Sequence, residues 1–410
     1  MCATPPAARA DLAAMHRHAK AGRRACSALA RSEAAVALPP TATSPALAHI
    51  VDTCADLGLT IRPLAAATTG DRLRLAGPTG ESITVDLRPG GLPLVEQVLR
   101  AVQFDFAALP LLVKGDSKEI RLLTPRIALA RLLPTVYSFT FNRYGIVPGS
   151  DHIRARFSAE LFREMAAEPG PRHLPSAFLG LIESPAGPLL AEEVVNTCNL
   201  EVRVKRFHVG SPVHRYRHVA SHATAVGGPP LQRWGRFDEP VVCFDWRHPL
   251  HDDSGTRLAD EPLSDDYAAI WIDSVPRAKA LARRAFKWIE RRFFRAGLQL
   301  VDICFFIDRT GSVLYGEISP DCLRVRSRAS ADAEALDKDH WRSGGEPHEV
   351  RTRYERLHEL VFNRRAASRH DTFEERGHGE GPPEARRDQA STCQSRGVAR
   401  RNRHAAGGRA

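Results

Sequence analysis

The stretch YGEISPDCLRVR, residues 315 to 326, sets Glu317, Asp321, Arg324 and Arg326 within ten residues, just after a strand-like run at 300–308. Ser319-Pro320 forces a turn away from that run and aims Asp321 and Arg324 back toward its end. Functional residues commonly lie on such loops braced by a rigid scaffold, and the residues alone leave open what this group holds. A second group, KGDSKE at 114–119, lies between two strand-like segments. There Gly115 and Lys118 suit a loop laid over phosphates, where backbone N–H groups and an ammonium meet an anion. An ordinary solvated hairpin has the same pattern. In VKRFHVGSP, 204–212, Lys205 and Arg206 end a strand and Gly210-Ser211 follows. Glycine permits close backbone approach and a serine hydroxyl can bond a phosphate or carboxylate oxygen, although a plain turn needs the same residues.

Two histidine groups complete the list. His214, His218 and His222 recur every four residues, the spacing of a metal-binding helix face, but RYRHVASHATAVGG is a poor helix with no interleaved carboxylate. Surface histidines are the favoured reading. RHPLHDD, 247–253, brings imidazole groups and Asp252 together after the strand-like PVVCFDW. Nothing in the chain matches a nucleophile elbow, a Walker loop or a dinucleotide fingerprint.

These groups need elements to hold them. ALAHIVDTCADLGL spaces its apolar residues for a short helix, and DRLRLAGPTGESITVDLRPGG alternates around a Gly-Pro-Thr-Gly turn as a hairpin does. LPLVEQVLRAV predicts a helix, LPLLVKGDSKEIRLLTP a strand, turn and strand, and DHIRARFSAELFREM a further helix. The strongest helix is 274–297: Leu281, Ala285, Trp288 and Ile289 share one face, and Gly297 closes it. Strands and helices without regular βαβ alternation predict an α+β fold.

The 410 residues, 43% hydrophobic, suffice for a large core and for two or three domains. The net charge of +10 is concentrated at the ends. Residues 1–44 carry six Lys/Arg against two acids, and 364–410 carry eleven Arg against six acids. A near-neutral middle gives no reason to expect a folded, specific nucleic-acid face. Eight scattered cysteines without a CxxC pair suit a reduced, cytoplasmic chain, and no apolar run reaches a membrane-spanning length. The expected organisation is a flexible arm (1–44), an extra α/β segment (45–108), a β-rich lobe (109–190), a substrate-binding lobe (191–363) and a disordered basic tail (364–410).

Taken in order, the motifs resemble the SAICAR synthetase family, ligases that join an imidazole carboxylate ribonucleotide to L-aspartate with ATP. The parallels are KGDSK, VPGSD, EVRVKRFHVGS, LHDD, GLQLVD after the long helix, GEISPDCLR and LDKDHWR, spread over roughly 110–360. The resemblance implies a smaller β-rich ATP-binding lobe against a larger α/β lobe, with a cleft between. It implies ATP and Mg as cofactors and a ribonucleotide carboxylate and an amino acid as small-molecule partners, and it leaves a homo-oligomer open. Carried over by position, Gly115 and Lys118 would contact ATP, and Lys205, Ser211, Asp321 and Arg324 the nucleotide substrate. Asp252 and Asp321 would act in catalysis and Glu317 would hold the metal.

The chain also departs from the family pattern. Cys304 and Phe306 stand where Lys and Glu are expected after Leu-Val-Asp, Gly316 replaces an acid, and Asp116, Ser150 and Asn142 replace Lys, Lys and Asp. Phenylalanine cannot replace a magnesium carboxylate, because a hard cation requires oxygen. Glu317, Asp302 or Asp245 would then have to serve. Three activities fit: the family reaction with relocated metal ligands, a related amide bond in specialised nucleoside-type metabolism, or nucleotide binding without ATP chemistry.

Overall fold

The computed structural model of the chain describes residues 45–63, 72–77, 80, 82–86, 92–138, 143–210, 231–246, 254, 261–328 and 334–362. All belong to a unit that runs through Ser368; the second unit, Arg369–Ala410, lies outside the described residues. So do the expected arm at 1–44, Ser211, Asp252 and the triplet His214, His218 and His222.

The fold is α+β, with every pairing between its strands antiparallel. Helix α1 (Pro45–Asp56) leads into a three-stranded sheet of β1 (Thr60–Pro63), β2 (Arg72–Ala76) and β3 (Ser82–Asp86), followed by α2 (Leu94–Ala101). The Gly-Pro-Thr-Gly hairpin forms as its alternation implies, with Ala76 opposite Ser82. This segment is no appendage. Its Ile50, Leu75, Val85, Val98 and Leu99 share one buried cluster with Leu129, Leu189 and Ala191 from the next sheet.

That sheet is five-stranded, in the order β4 (Leu111–Lys114), β5 (Lys118–Thr124), β6 (Ile127–Leu132), β10 (Gly187–Glu193) and β9 (Phe178–Ser184). A two-stranded ribbon, β7 (Thr135–Ser138) and β8 (Arg143–Ile146), precedes α3 (Ser150–Ala166), which covers the sheet. Glu96, fully buried, ties α2 to α3 and β9: its carboxylate accepts from Arg100, Arg163 and the Leu181 N–H. Burial without such partners would be costly for a carboxylate.

The second lobe is built on the sheet β13 (Glu261–Leu263), β12 (Arg236–Trp246), β11 (Leu200–Phe207), β14 (Leu298–Ile307) and β15 (Leu314–Tyr315), with β16 (Leu323–Ser327) also pairing β14. Helix α4 (Val275–Arg295) packs on one face. Its predicted stripe is the observed one: Leu281, Ala285, Trp288 and Ile289 are all buried. Burial of each large side chain stabilises by about 1.5–3 kcal/mol. Helix α5 (Pro347–Phe362) closes the lobe, inserting Leu357 and Val361 into the same core.

The lobes meet along main-chain bonds. Ala177 donates to the Leu314 carbonyl at 2.8 Å, and Leu314 donates to Pro175 at 3.0 Å. Across this seam run the side chains that matter for function.

Candidate functional site

The first cluster lies at the seam. The β4–β5 turn closes by a bond from the Gly115 N–H to the Lys118 carbonyl, 2.9 Å, so Gly115 shapes the hairpin that launches Lys118. The Lys118 ammonium stands 4.9 Å from the centroid of the Phe306 ring on β14, a cation–π arrangement. From β10, the buried Glu192 accepts a 2.8 Å bond from the Gly316 N–H. Burial raises the Glu192 pKa, tempered by Lys118 and by that N–H.

Phe306 and Gly316 are a coupled pair. Gly316 has φ +79°, and a Cβ there would sit 3.0 Å from the Phe306 ring and 3.7 Å from Lys118 Nζ. The ring therefore lies against the space a side chain at 316 would enter, and the left-handed backbone favours glycine.

Behind this pair runs a buried ion pair. Arg154 of α3, 1% exposed, donates to both oxygens of Glu317, at 2.9 and 2.8 Å from Nη2 and 3.2 Å from Nε. Its Nη1 also donates to the Leu133 carbonyl at 3.0 Å. Ser319 adds its hydroxyl to Glu317 Oε1 at 2.8 Å, and Ser158 and Ile318 exchange two bonds at 3.1 and 3.2 Å. Both Glu317 oxygens thus accept from the Arg154 guanidinium, with which a metal at this carboxylate would have to compete.

The second cluster spans β11, β14 and β16. Lys205 and Arg324 both donate to Asp302 Oδ2, at 2.8 and 2.7 Å. Burial would raise the Asp302 pKa, but Arg324 and Lys205 outweigh it and hold the group at about 2. Lys205 also donates to the Val209 carbonyl at 2.6 Å, so it anchors the chain entering Gly210. At Gly210, φ +85°, a Cβ would fall 2.5 Å from the Arg324 guanidinium, and only glycine allows that approach. Arg324 continues to Asp339, which also accepts from Arg326 and Arg342. These three guanidiniums hold Asp339 well below the usual carboxylate range against the effect of burial.

Asp321 occupies the neighbouring corner, bonded by Lys338 at 3.1 Å and by the Tyr354 hydroxyl at 3.1 Å. Burial would raise its pKa, yet Lys338 and Arg154 lower it. Of the residues singled out from sequence, Lys205, Arg324 and Asp321 therefore join one charged network, and Lys118 and Glu317 lie beside it across the seam.

A divalent cation needs hard oxygen donors that are not already neutralised. Glu317 is taken by Arg154 and Asp302 by Lys205 and Arg324; Asp245 lies 3.3 Å from Arg203. No group of three or more metal-ligating side chains occurs among the described residues. The described donor set does not fit Mg. Lys118 is a cation at this seam, 4.9 Å from the Phe306 ring and beside Gly316.

Several participants escaped the sequence reading. Arg154 and Glu192 were not singled out, nor was Trp234, a half-exposed residue with φ 66° whose ring lies 5.4 Å from the Arg326 guanidinium. Arg154 does carry a signal. It falls in the buried stripe with Ser150, Ser158, Leu161 and Met165, where an unpaired guanidinium cannot stay.

The family model described as SAICAR synthetase matches residues 136–357. The bifunctional cordycepin biosynthesis cluster protein 3 of Cordyceps militaris is 28% identical over 276 residues, which cover 57% of this chain and 30% of that protein. The chain thus spans under a third of that relative's length. A phosphoribosylaminoimidazole-succinocarboxamide synthase of Synechococcus is 25% identical over 250 residues, covering 58% of this chain and 88% of that one. Among solved structures, a SAICAR synthetase from Pyrococcus horikoshii OT3 overlays with TM-score 0.48 at 19% identity, covering 60% of this chain and 98% of that one. With more than half of its length matched by the family model, the chain belongs to the SAICAR synthetase family.

Proposed function

We propose that the chain is an ATP-dependent carbon–nitrogen ligase that forms an amide on the carboxylate of a phosphorylated azole ribonucleotide. The family pair, an imidazole carboxylate ribonucleotide and L-aspartate, is the first substrate set to test. The observation that carries the reading is the union of Lys205, Asp302 and Arg324 under Gly210, beside Asp321. Such a union sets two cations against one shared carboxylate, which leaves positive charge to meet a phosphate or carboxylate, and Gly210 lets Arg324 take its place there.

The chain's own groups divide the work. Lys205 fixes the carbonyl of Val209 and so sets the backbone from which Ser211 would reach the substrate. Arg324 and Arg326 present guanidiniums whose counter-charges, Asp302, Asp337 and Asp339, hold them in place. Lys118 would meet the phosphates of ATP, and Asp321, kept ionised by Lys338 and Arg154, would orient the amine. ATP, when bound, supplies the phosphoryl group that makes the carboxylate reactive toward the amine. Positioning of the nucleophile then matters more than a strong base. Asp252, expected to act in catalysis, lies outside the described residues. A cytoplasmic location remains part of the proposal, as does a specific small-molecule role without nucleic acid; no described helix is long and apolar enough to cross a membrane.

A second reading is a related amide bond in specialised nucleoside metabolism. The Cordyceps relative, whose name places it in a cordycepin biosynthesis cluster, and the altered pair Phe306/Gly316 favour it. An ATP-to-ADP assay of purified protein with carboxyaminoimidazole ribonucleotide and a panel of amines tests both. Turnover with L-aspartate supports the family reaction, and turnover only with another amine supports the second. Absence of turnover across the panel, with the protein folded, refutes ligase activity.

A further inference from the structure

Lys205 and Arg206 are consecutive on β11, and consecutive side chains of a strand point to opposite faces of its sheet. Lys205 serves the cluster described above. Arg206 turns to the side covered by α4, where Nε and Nη2 donate to the two oxygens of Glu290, both at 2.6 Å. Its Nη1 donates to the carbonyls of Phe237 and Asp238 at 3.1 and 2.5 Å. Beside this anchored pair lies a cavity of about 470 Å³, within the range of small-ligand pockets.

Its charged lining is Arg206, Arg236, Arg291, Arg295, Arg328 and Glu290. Five guanidiniums against one carboxylate leave an excess of four positive charges, and the one carboxylate is already engaged by Arg206. Among the described residues Arg236 pairs with the exposed Asp238, at 3.8 Å. Arg328 stacks its guanidinium 3.9 Å from the centroid of Phe294, itself 59% exposed at the cavity wall.

Helix stability accounts for part of this charge. Arg295 lies in the last turn of α4, where a cation meets the helix dipole favourably. Yet Arg291 and Arg295 are four apart on one helix, where like charges repel. Arg236 comes from β12, away from the helix terminus, and Arg328 follows β16, where its N–H bonds the Gly297 carbonyl and its guanidinium stacks on Phe294. Four parts of the chain, β11, β12, α4 and the residue after β16, thus bring guanidiniums to one concavity, at a cost that self-repulsion imposes and that a bound anion would relieve.

We propose that this cavity is a second anion site, which takes a small ligand carrying a multiply charged phosphate group. Guanidinium forks match phosphate oxygens in pairs, and an exposed aromatic ring at the wall can carry an attached planar group. The assignment stands whether or not the ligase reading holds, because it uses none of the same side chains.

The test is calorimetric titration of the full chain with tripolyphosphate, in a Lys118→Ala background so that the cleft contributes less. Arg291→Gln/Arg295→Gln, both at exposed positions, should weaken binding by about tenfold or more, the equivalent of one charge-assisted hydrogen bond. The dependence of affinity on salt should fall as well. Thermal unfolding of the double variant controls for folding, and Arg328→Gln provides an independent variant with the same expected loss. Unchanged affinity in the folded variants overturns the assignment, as does failure of the parent to bind tripolyphosphate. A single-stranded RNA oligomer bound in strong preference to tripolyphosphate would also overturn it, by showing an extended polymer surface instead.

Discussion

Replacement of Arg154 by Met removes the guanidinium that neutralises Glu317 while keeping most of the helix-face volume. Glu317 would keep the Ser319 hydroxyl at 2.8 Å and lose all three contacts from Arg154, and the Leu133 carbonyl would lose its 3.0 Å donor. With the pair 1% and 6% exposed, solvent cannot substitute. A buried pair broken on one side costs about 3–5 kcal/mol, most of it the penalty of the charge left behind. Denaturant unfolding should register that loss, and the melting temperature should fall by about 10 °C at a few degrees per kcal/mol. The double variant Arg154→Met/Glu317→Leu should recover much of the loss, since apolar replacement of both partners of a buried pair is often near neutral. A single variant within about 1 kcal/mol of the parent would refute the reasoning, because a desolvated carboxylate cannot be left unpaired so cheaply. So would a double variant no better than Arg154→Met.

Asp302→Asn should cost about 3–5 kcal/mol in denaturant unfolding, because it leaves Lys205 and Arg324 buried beside each other without their shared counter-charge. The same carboxylate sets an acid limit: its pKa falls from 3.8 to about 2 on folding, so its contribution is present above pH 3.8 and is lost as pH falls toward 2. The loss amounts to about 2 kcal/mol, and an unfolding series between pH 5 and 2 should show it in the parent and not in Asp302→Asn. Gly316→Asp should destabilise by about 1–3 kcal/mol through its φ of +79° and the contact at 3.0 Å with Phe306, with partial rescue by Phe306→Ala. Glu192→Gln should be neutral or stabilising near pH 7: the folded pKa is raised, so stability from this group is greatest at low pH and falls as it ionises. Its amide oxygen can still accept from Gly316, and thermal unfolding at pH 5 and 8 should show the difference from the parent narrowing at the lower pH.

The local elements were legible because their causes are local. Apolar spacing marked α1, α2 and α4, and alternation around Gly-Pro-Thr-Gly marked β2 and β3, which need no distant partner to be recognised. The gathering of Lys205 and Arg324 was legible as part of a motif series, and the structure joins them through Asp302. What escaped was long-range. Arg154 meets Glu317 across 163 positions and Glu192 meets Gly316 across 124, and nothing adjacent in the chain announces either contact. Glu317 looked available because its own neighbourhood, Gly316-Glu-Ile-Ser319, contains no cation. Lys205 looked like a ligand for substrate, and the structure adds an internal task, the support of Val209.

The main-chain ladder at Pro175, Ala177 and Leu314 stitches the two sheets at one end, and the Arg154–Glu317 pair rivets the same margin. Any breathing between the lobes must therefore swing about this edge, as a book opens from its spine. Residues near the spine, Lys118 among them, would then move least during a turnover cycle.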